Sequence, residues 1–219
     1  MAAHLRGGKV SPSPLLIHQA VTEKDAAEAV KLLIARADWL QDHGSDQWGN
    51  FREKKAELLH SALKRTWLLR ERSTGKVVGT IAFVDADAEF WTPEEREVPS
   101  VYVAKLATAP EATGQGLGHV LLGFAMYSAY LDWRSQEVRF DAWKTSPELH
   151  RYYEHAGWTH LRTVDLPHRR SGALFSRPVD RTRSNELPVG LEIAPYLPNW
   201  KPREGKDLSG ELWYGGNGE

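Results

Sequence analysis

The chain has no cysteine and two methionines in 219 residues. Without a thiol there is no disulfide framework, no cysteine-ligated zinc or iron–sulfur centre and no cysteinyl acyl-enzyme. This fits a reducing compartment, and the expected location is the cytoplasm. A long apolar run is also missing. Ala112 to Leu131 carries no formal charge, yet it contains Thr113, Gln115, His119 and four glycines. Its continuous apolar part starts at Val120, too short to cross a bilayer, so no membrane association is expected. No signal-peptide pattern follows Met1. Excess charge of one sign is absent too, with 28 Lys+Arg against 29 Asp+Glu. That argues against non-specific nucleic-acid binding by the whole surface but leaves local patches open. The nine histidines show no metal pattern: His150 and His155 are five apart and do not share a helix face. Neither His-Glu-x-x-His nor Gly-x-Ser-x-Gly occurs, and no metal is expected.

Hydrophobic residues make up 41% of the chain, including nine tryptophans. This suffices for one domain with an appendage. Residues 1–14 are rich in Gly, Ser and Pro and read as a flexible lead. Leu15 to Ala20 suits a short strand. Thr22, followed by Glu23 and Asp25, suits a helix N-cap. Ala26, Val30, Leu33, Ile34, Ala37 and Leu40 then form a helical stripe ending at Gly44. A second helix is expected from Trp48 to Leu63. Thr66–Arg70 and Lys76–Val84, joined by Ser73-Thr-Gly75, predict an antiparallel hairpin. Residues 85–99 are acidic, contain Pro93 and Pro99, and read as a loop. Further strands are expected at Ser100–Thr108, Glu137–Trp143, Trp158–Leu166 and Ala173–Val179, and helices at Leu117–Leu131 and Pro147–Ala156. The order predicts a mixed α/β domain with strands in the majority. Residues 181–219 read as an extended arm. Its aromatics Tyr196, Trp200, Trp213 and Tyr214 predict that it packs on its own domain or on a partner subunit, with a homodimer as one arrangement.

Between strand and helix lies Thr113-Gly-Gln-Gly-Leu-Gly118. Glycines let the backbone turn and approach a ligand, and free amides in the first helical turn attract an anion. Two nucleotide motifs fail here. A Walker loop ends in Gly-Lys-Ser/Thr, whereas this one runs on as Gly118-His119-Val120. A Rossmann G-x-G-x-x-G needs glycine at 119 or 121 and meets His119 or Leu121.

A third pattern agrees. Leu106-Ala-Thr-Ala-Pro-Glu-Ala-Thr-Gly-Gln-Gly-Leu-Gly118 resembles the acyl-CoA-binding motif of the GNAT superfamily of N-acetyltransferases. Leu149-His-Arg-Tyr-Tyr-Glu-His-Ala-Gly-Trp158 is similar to that family's Tyr-Glu-x-x-Gly-aromatic helix end. The resemblance spans residues 15–180. It implies an α/β (α+β) fold with a mixed, mostly antiparallel central sheet flanked by helices, followed by the C-terminal extension. It also implies transfer of acetyl from acetyl-CoA, or of another acyl group from its CoA ester, to a primary amine of a small molecule or natural product. Two positions depart from the pattern. Thr113 stands where the family usually has Arg or Gln, and Ser146 where it often has Asn.

The resemblance implies residue roles. The amides of Gln115, Gly116, Leu117 and Gly118 hold the donor pyrophosphate, and Gly114 shapes the turn. Leu106, Ala107 and Thr108 pair with the pantetheine arm, and Thr113, Ser146 and Tyr153 complete the donor site. Tyr153 fills the general-acid position, since a phenol is protonated at neutral pH. Many relatives place a glutamate on the central strand as base. This chain has Lys105 there, which leaves Asp85, Asp87, Glu89 and Asp141 as candidates, or a water relay.

For the acceptor, Trp39, Trp48 and Trp91 beside an acidic loop suit a cationic amine, and Lys105 is a candidate to orient an acceptor carboxylate. From Arg162 to Arg183 six arginines face two aspartates. This patch, with Thr113 and Ser146, keeps a second reading open, in which the donor is an aminoacyl-tRNA. A third reading is a non-catalytic module that binds acyl-CoA or a metabolite.

Overall fold

The computed structural model describes residues 14–132, 134–182 and 186–194. The lead at 1–13, Arg183, and the arm aromatics Tyr196, Trp200, Trp213 and Tyr214 lie outside the described residues. The strands are β1 (Leu15–Gln19), β2 (Thr66–Glu71), β3 (Val77–Val84), β4 (Ser100–Thr108), β5 (Glu137–Trp143), β6 (Thr159–Thr163), β7 (Ser171–Pro178) and β8 (Leu191–Ile193). The helices are α1 (Glu23–Asp42), α2 (Lys55–Ala62), α3 (Pro93–Glu97), α4 (Leu117–Leu131) and α5 (Pro147–His155). The strands form one sheet in the order β6-β7-β5-β4-β3-β2-β1-β8. Neighbours are antiparallel except β4 with β5 and β1 with β8. This is the mixed, mostly antiparallel α+β sheet that the resemblance implies.

Local chemistry explains most boundaries. Thr22 caps α1 reciprocally: its hydroxyl accepts from the Asp25 amide at 3.1 Å, and the Asp25 carboxylate accepts from the Thr22 amide at 3.0 Å. The α1 stripe buries Ala26, Val30, Leu33 and Ala37 against the sheet. From the same cluster, α4 contributes Leu121, Phe124 and Ala125, which meet Ile81, Val138 and Phe175 of the sheet, all essentially inaccessible. Each such Val, Leu, Ile or Phe side chain contributes roughly 1.5–3 kcal/mol of burial.

Three expectations need correction. The second helix starts at Lys55 rather than Trp48, because Trp48 adopts a left-handed backbone (φ 60°) and residues 47–54 form successive turns. The acidic loop contains α3. There Thr92 and Glu95 form a capping box with Pro93 in the first turn, a Thr-x-x-Glu signal readable in the sequence. Finally, the arm contributes a strand, since Leu191–Ile193 pairs in parallel with Leu15–Ile17.

The feature that positions the site is a parting of two strands. The β4–β5 ladder runs from Ser100↔Glu137 to Val103↔Phe140 and stops. Both strands continue, to Thr108 and Trp143. On its other side β4 bulges: Ala82 pairs with Ala104 and Thr80 with Ala107, leaving one extra residue on β4. Lys105 within this bulge has φ 50°, and its carbonyl accepts from the Thr80 hydroxyl at 3.0 Å. A bulge bends its strand and increases local twist, which turns β4 away from β5.

Candidate active site

The parted strands enclose a cavity of about 370 Å³. Val103 to Leu106 line one side and Phe140 to Trp143 the other, with Tyr153 of α5 between them. Trp48, Phe51 and Lys54 from the unwound segment before α2 also line it. Trp48 and Phe51 stack with centroids 5.2 Å apart, giving that wall a flat apolar surface. Beyond Val103, β4 has no partner on its β5 side, so backbone groups around Leu106 and Ala107 are open to an extended ligand, while the Thr108 carbonyl is held by Arg36.

The glycine loop follows. Gly114 and Gly116 have φ of 82° and 73°, a region that costs an L side chain energy and glycine little. Gly116 caps α4 without any side-chain bond. Among the described residues, the amides of Gly114, Gly116, Leu117 and Gly118 have no acceptor, which leaves a helix start equipped to bind an anion. The Gln115 amide is different: it turns back to the Ala112 carbonyl at 3.4 Å. A Cβ on Gly118 would lie 2.6 Å from the Tyr152 hydroxyl, so this glycine admits close packing by α5. Tyr152 in turn meets His119 Nδ1 at 3.0 Å. Glycines with open donors and a strand without its partner fit a phosphate-bearing, extended acyl donor.

Arg36 of α1 joins this region and carries no sequence signal. Its Nε donates to the Thr108 carbonyl at 2.8 Å, and one terminal nitrogen donates to the hydroxyls of Thr108 at 2.8 Å and Thr113 at 3.1 Å. The pairing crosses 72 residues, beyond any local pattern. Ser146 lies at the start of α5, and its side chain caps nothing there.

Tyr153 is buried among Phe140 and Phe175, with centroids at 4.6 and 5.3 Å. Its hydroxyl has no partner among the described residues. Burial, followed by the neighbouring Tyr152 and Asp141, pushes its pKa above the ordinary phenol value. Asp141 lines the same cavity, and its Oδ1 accepts from the Tyr102 hydroxyl at 2.7 Å. Burial, then Asp141, also holds the Tyr102 phenol above its ordinary range. The Lys105 side chain reaches α2, where Nζ donates to the Ser61 hydroxyl at 2.7 Å. Burial pushes its pKa down; Glu57 opposes this and Arg65 adds to it.

Several sequence candidates lie elsewhere. Asp87 and Glu89 do not line the cavity and are tied to Arg169, with His168 also on Glu89. Burial opposes ionisation of Asp87, but the Glu89 amide and Arg169 outweigh it and hold its pKa below the usual carboxylate range. The His168 and Arg169 side chains hold Glu89 low as well. Carboxylates so engaged are poor bases. Asp85 pairs with Arg65 at 3.6 Å. Trp91 is 2% exposed, in a cluster with Phe90, Tyr102 and Leu174; the Arg139 guanidinium covers it at 4.5 Å. It is a core residue and not an entrance residue. Trp39 stacks on His43 at 3.8 Å, outside the cavity lining.

The arginine stretch is engaged internally. Arg162 pairs with Glu95, Arg169 with Asp87 and Glu89, and Arg170 with Asp46. Arg177 donates to the Ala156 carbonyl at 3.0 Å, and Arg181 to the carbonyls of Asp132 and Ser135. These side chains serve the fold, which removes the patch as an argument for tRNA.

Comparison with known proteins agrees with the geometry. A family model described as the acetyltransferase (GNAT) domain matches residues 62–160, which include β4, the glycine loop and α5. An uncharacterized N-acetyltransferase of Bacillus subtilis, YesJ, is 25% identical over 140 residues, 62% of this chain and 77% of that protein. Among solved structures, a GNAT-family acetyltransferase from Listeria monocytogenes superposes with a TM-score of 0.61 at 16% identity, covering 78% of this chain and 99% of the other. An aminoglycoside acetyltransferase in complex with coenzyme A gives 0.55 at 19% identity, over 75% and 94%. No helix among the described residues is long and apolar enough to cross a membrane. The parted strands, the open loop amides and the match over residues 62–160 make this chain similar to the N-acetyltransferases of the GNAT superfamily, a family that uses acetyl-CoA.

Proposed function

We propose that the chain transfers acetyl from acetyl-CoA directly to a primary amine of a small molecule within a ternary complex. The observation that carries this reading is the end of the β4–β5 ladder at Val103↔Phe140 beside a loop with open amides. The donor arm lies along Leu106 to Thr108, and its pyrophosphate meets the amides of Gly116, Leu117 and Gly118. The amine lone pair attacks the thioester carbonyl, a C–N bond forms, and the C–S bond breaks.

Two side chains in the cavity carry protons. Tyr153 keeps its proton at neutral pH because burial raises its pKa, and it donates a hydrogen bond to the departing sulfur. Asp141 has one oxygen on Tyr102; its other oxygen takes the proton of the acceptor ammonium, directly or through a water. Incubation with acetyl-CoA and a panel of amines, read by thiol release and product mass, tests the reading. Acetylated product is expected. Donor binding without transfer to any amine would overturn it in favour of a non-catalytic module.

A further inference from the structure

Most cations withdrawn from water in this fold meet a carboxylate within 4.0 Å. Arg70 meets Asp25 and Glu28, Arg72 meets Glu192, Arg139 meets Glu137, Lys144 meets Asp165, Arg162 meets Glu95, and Arg169 meets Asp87 and Glu89. Among the described residues that are not exposed, Lys105 and Arg36 lack such a partner. Arg36 is occupied by the Thr108 and Ala109 carbonyls and by two hydroxyls. Lys105 has one bond, to the Ser61 hydroxyl, which itself donates to the Leu58 carbonyl. An ammonium has three N–H donors, so two of those on Lys105 are left for a ligand. A charge drawn from water with no carboxylate within 4.0 Å is costly; Glu57 acts on it only from farther away, and Lys105 is one of the residues that line the transfer cavity.

Three further cations line it, and each is paired with a carboxylate: Lys54 with Glu57, Arg169 with Asp87 and Glu89, and Arg170 with Asp46. Asp141 is the one carboxylate in the lining. Lys105 is thus the lining Lys or Arg with no carboxylate within 4.0 Å among the described residues. The same cavity is lined by the stacked rings of Trp48 and Phe51.

We propose that the acceptor is an amino acid, an amine bearing its own carboxylate, with that carboxylate on Lys105 and its side chain against Trp48 and Phe51. This rests on the transferase reading above and names its substrate class. The reacting amine then lies on the Asp141 side, away from the ammonium. The group in the place of the family's strand glutamate thus serves recognition, and proton removal falls to Asp141.

The test uses acetyl-CoA with a series of L-amino acids and the matching amino acid amides. For the wild-type chain, kcat/KM is expected to favour the acids by about tenfold or more, the size of a charge-assisted contact. In Lys105→Met this acid-to-amide ratio is expected to fall about tenfold, while Lys105→Arg retains it. Deaminated acids are expected to inhibit competitively with the acceptor, and the corresponding alcohols are not; this measurement needs no variant. Wild-type preference for the amides, an unchanged ratio in Lys105→Met, or equal inhibition by acids and alcohols would overturn the assignment. Failure to acetylate either series while acetyl-CoA still raises Tm would overturn the transferase reading itself, and the substrate class with it.

Discussion

Arg36 and Thr113 are joined by a 3.1 Å hydrogen bond from guanidinium to hydroxyl. The same guanidinium holds the Thr108 carbonyl at 2.8 Å, so one side chain of α1 fixes the distance between the end of β4 and the start of the glycine loop. Where related sequences carry a long polar side chain in the loop, this chain brings one in from a helix. Arg36→Gln is expected to raise KM for acetyl-CoA about tenfold, by the loss of charge-assisted bonds that shape the loop. The accompanying change in kcat should be smaller. Initial rates at varied donor concentration check this.

Tyr153→Phe keeps the ring contacts with Phe140 and Phe175 and removes the hydroxyl. A drop in kcat of roughly a hundredfold is expected, with donor affinity and thermal unfolding close to wild type. Normal turnover would show that the departing thiolate needs no help from α5.

Glu137→Gln tests a buried pair. Arg139 is 4% exposed, bonds Glu137 at 2.5 Å and stacks on Trp91. The substitution removes the counter-charge and leaves the buried guanidinium with neutral oxygen partners, the new side-chain amide and the Glu95 carbonyl. Destabilisation of about 3 kcal/mol is expected, measured by urea unfolding at neutral pH.

His18 sets a pH dependence. Its Nε2 accepts from Arg70 Nε at 2.8 Å, which requires the neutral ring at that nitrogen. Burial first, then Arg70, lowers its pKa from the ordinary histidine value. The native state therefore binds fewer protons than the unfolded chain in the window below the unfolded pKa of about 6.5. Its contribution to stability is complete above that pH and lost as pH falls through and below it. Tm should drop between pH 7 and 5 in the wild type, and drop less in His18→Gln.

Much of this was legible in the sequence, and what escaped has physical causes. The bounds of β4, α4 and β5 follow from apolar pattern and from a glycine turn that acts locally. The glycine turn before α4 was equally legible, because glycine spacing encodes a backbone path. The Thr92 capping box was readable too, but the prolines beside it suggested a loop. Other features were beyond local reading. Trp48 takes a left-handed backbone and lines the cavity, a placement set by residues distant in the chain. Trp91 and Trp48 look alike as aromatics near charge, yet one is buried beneath Arg139 and the other faces the site. Charge counts showed an acidic loop and a basic stretch. They could not show that Glu89 and Arg169, 80 residues apart, are paired, or that Lys105 has no carboxylate within 4.0 Å among the described residues.

The parallel strand β8 has a consequence for synthesis. Leu191–Ile193 covers the outer edge of Leu15–Ile17, and the Leu15 amide donates to the Gly190 carbonyl at 3.1 Å. During translation the first strand emerges long before the segment that covers it. Until residues 190–194 leave the ribosome, the rest of the sheet can assemble with β1 as an open edge, which is a template for pairing with another nascent chain. The polypeptide is thus most exposed to misassociation late in its own production, and a truncation before Gly190 would make that exposure permanent.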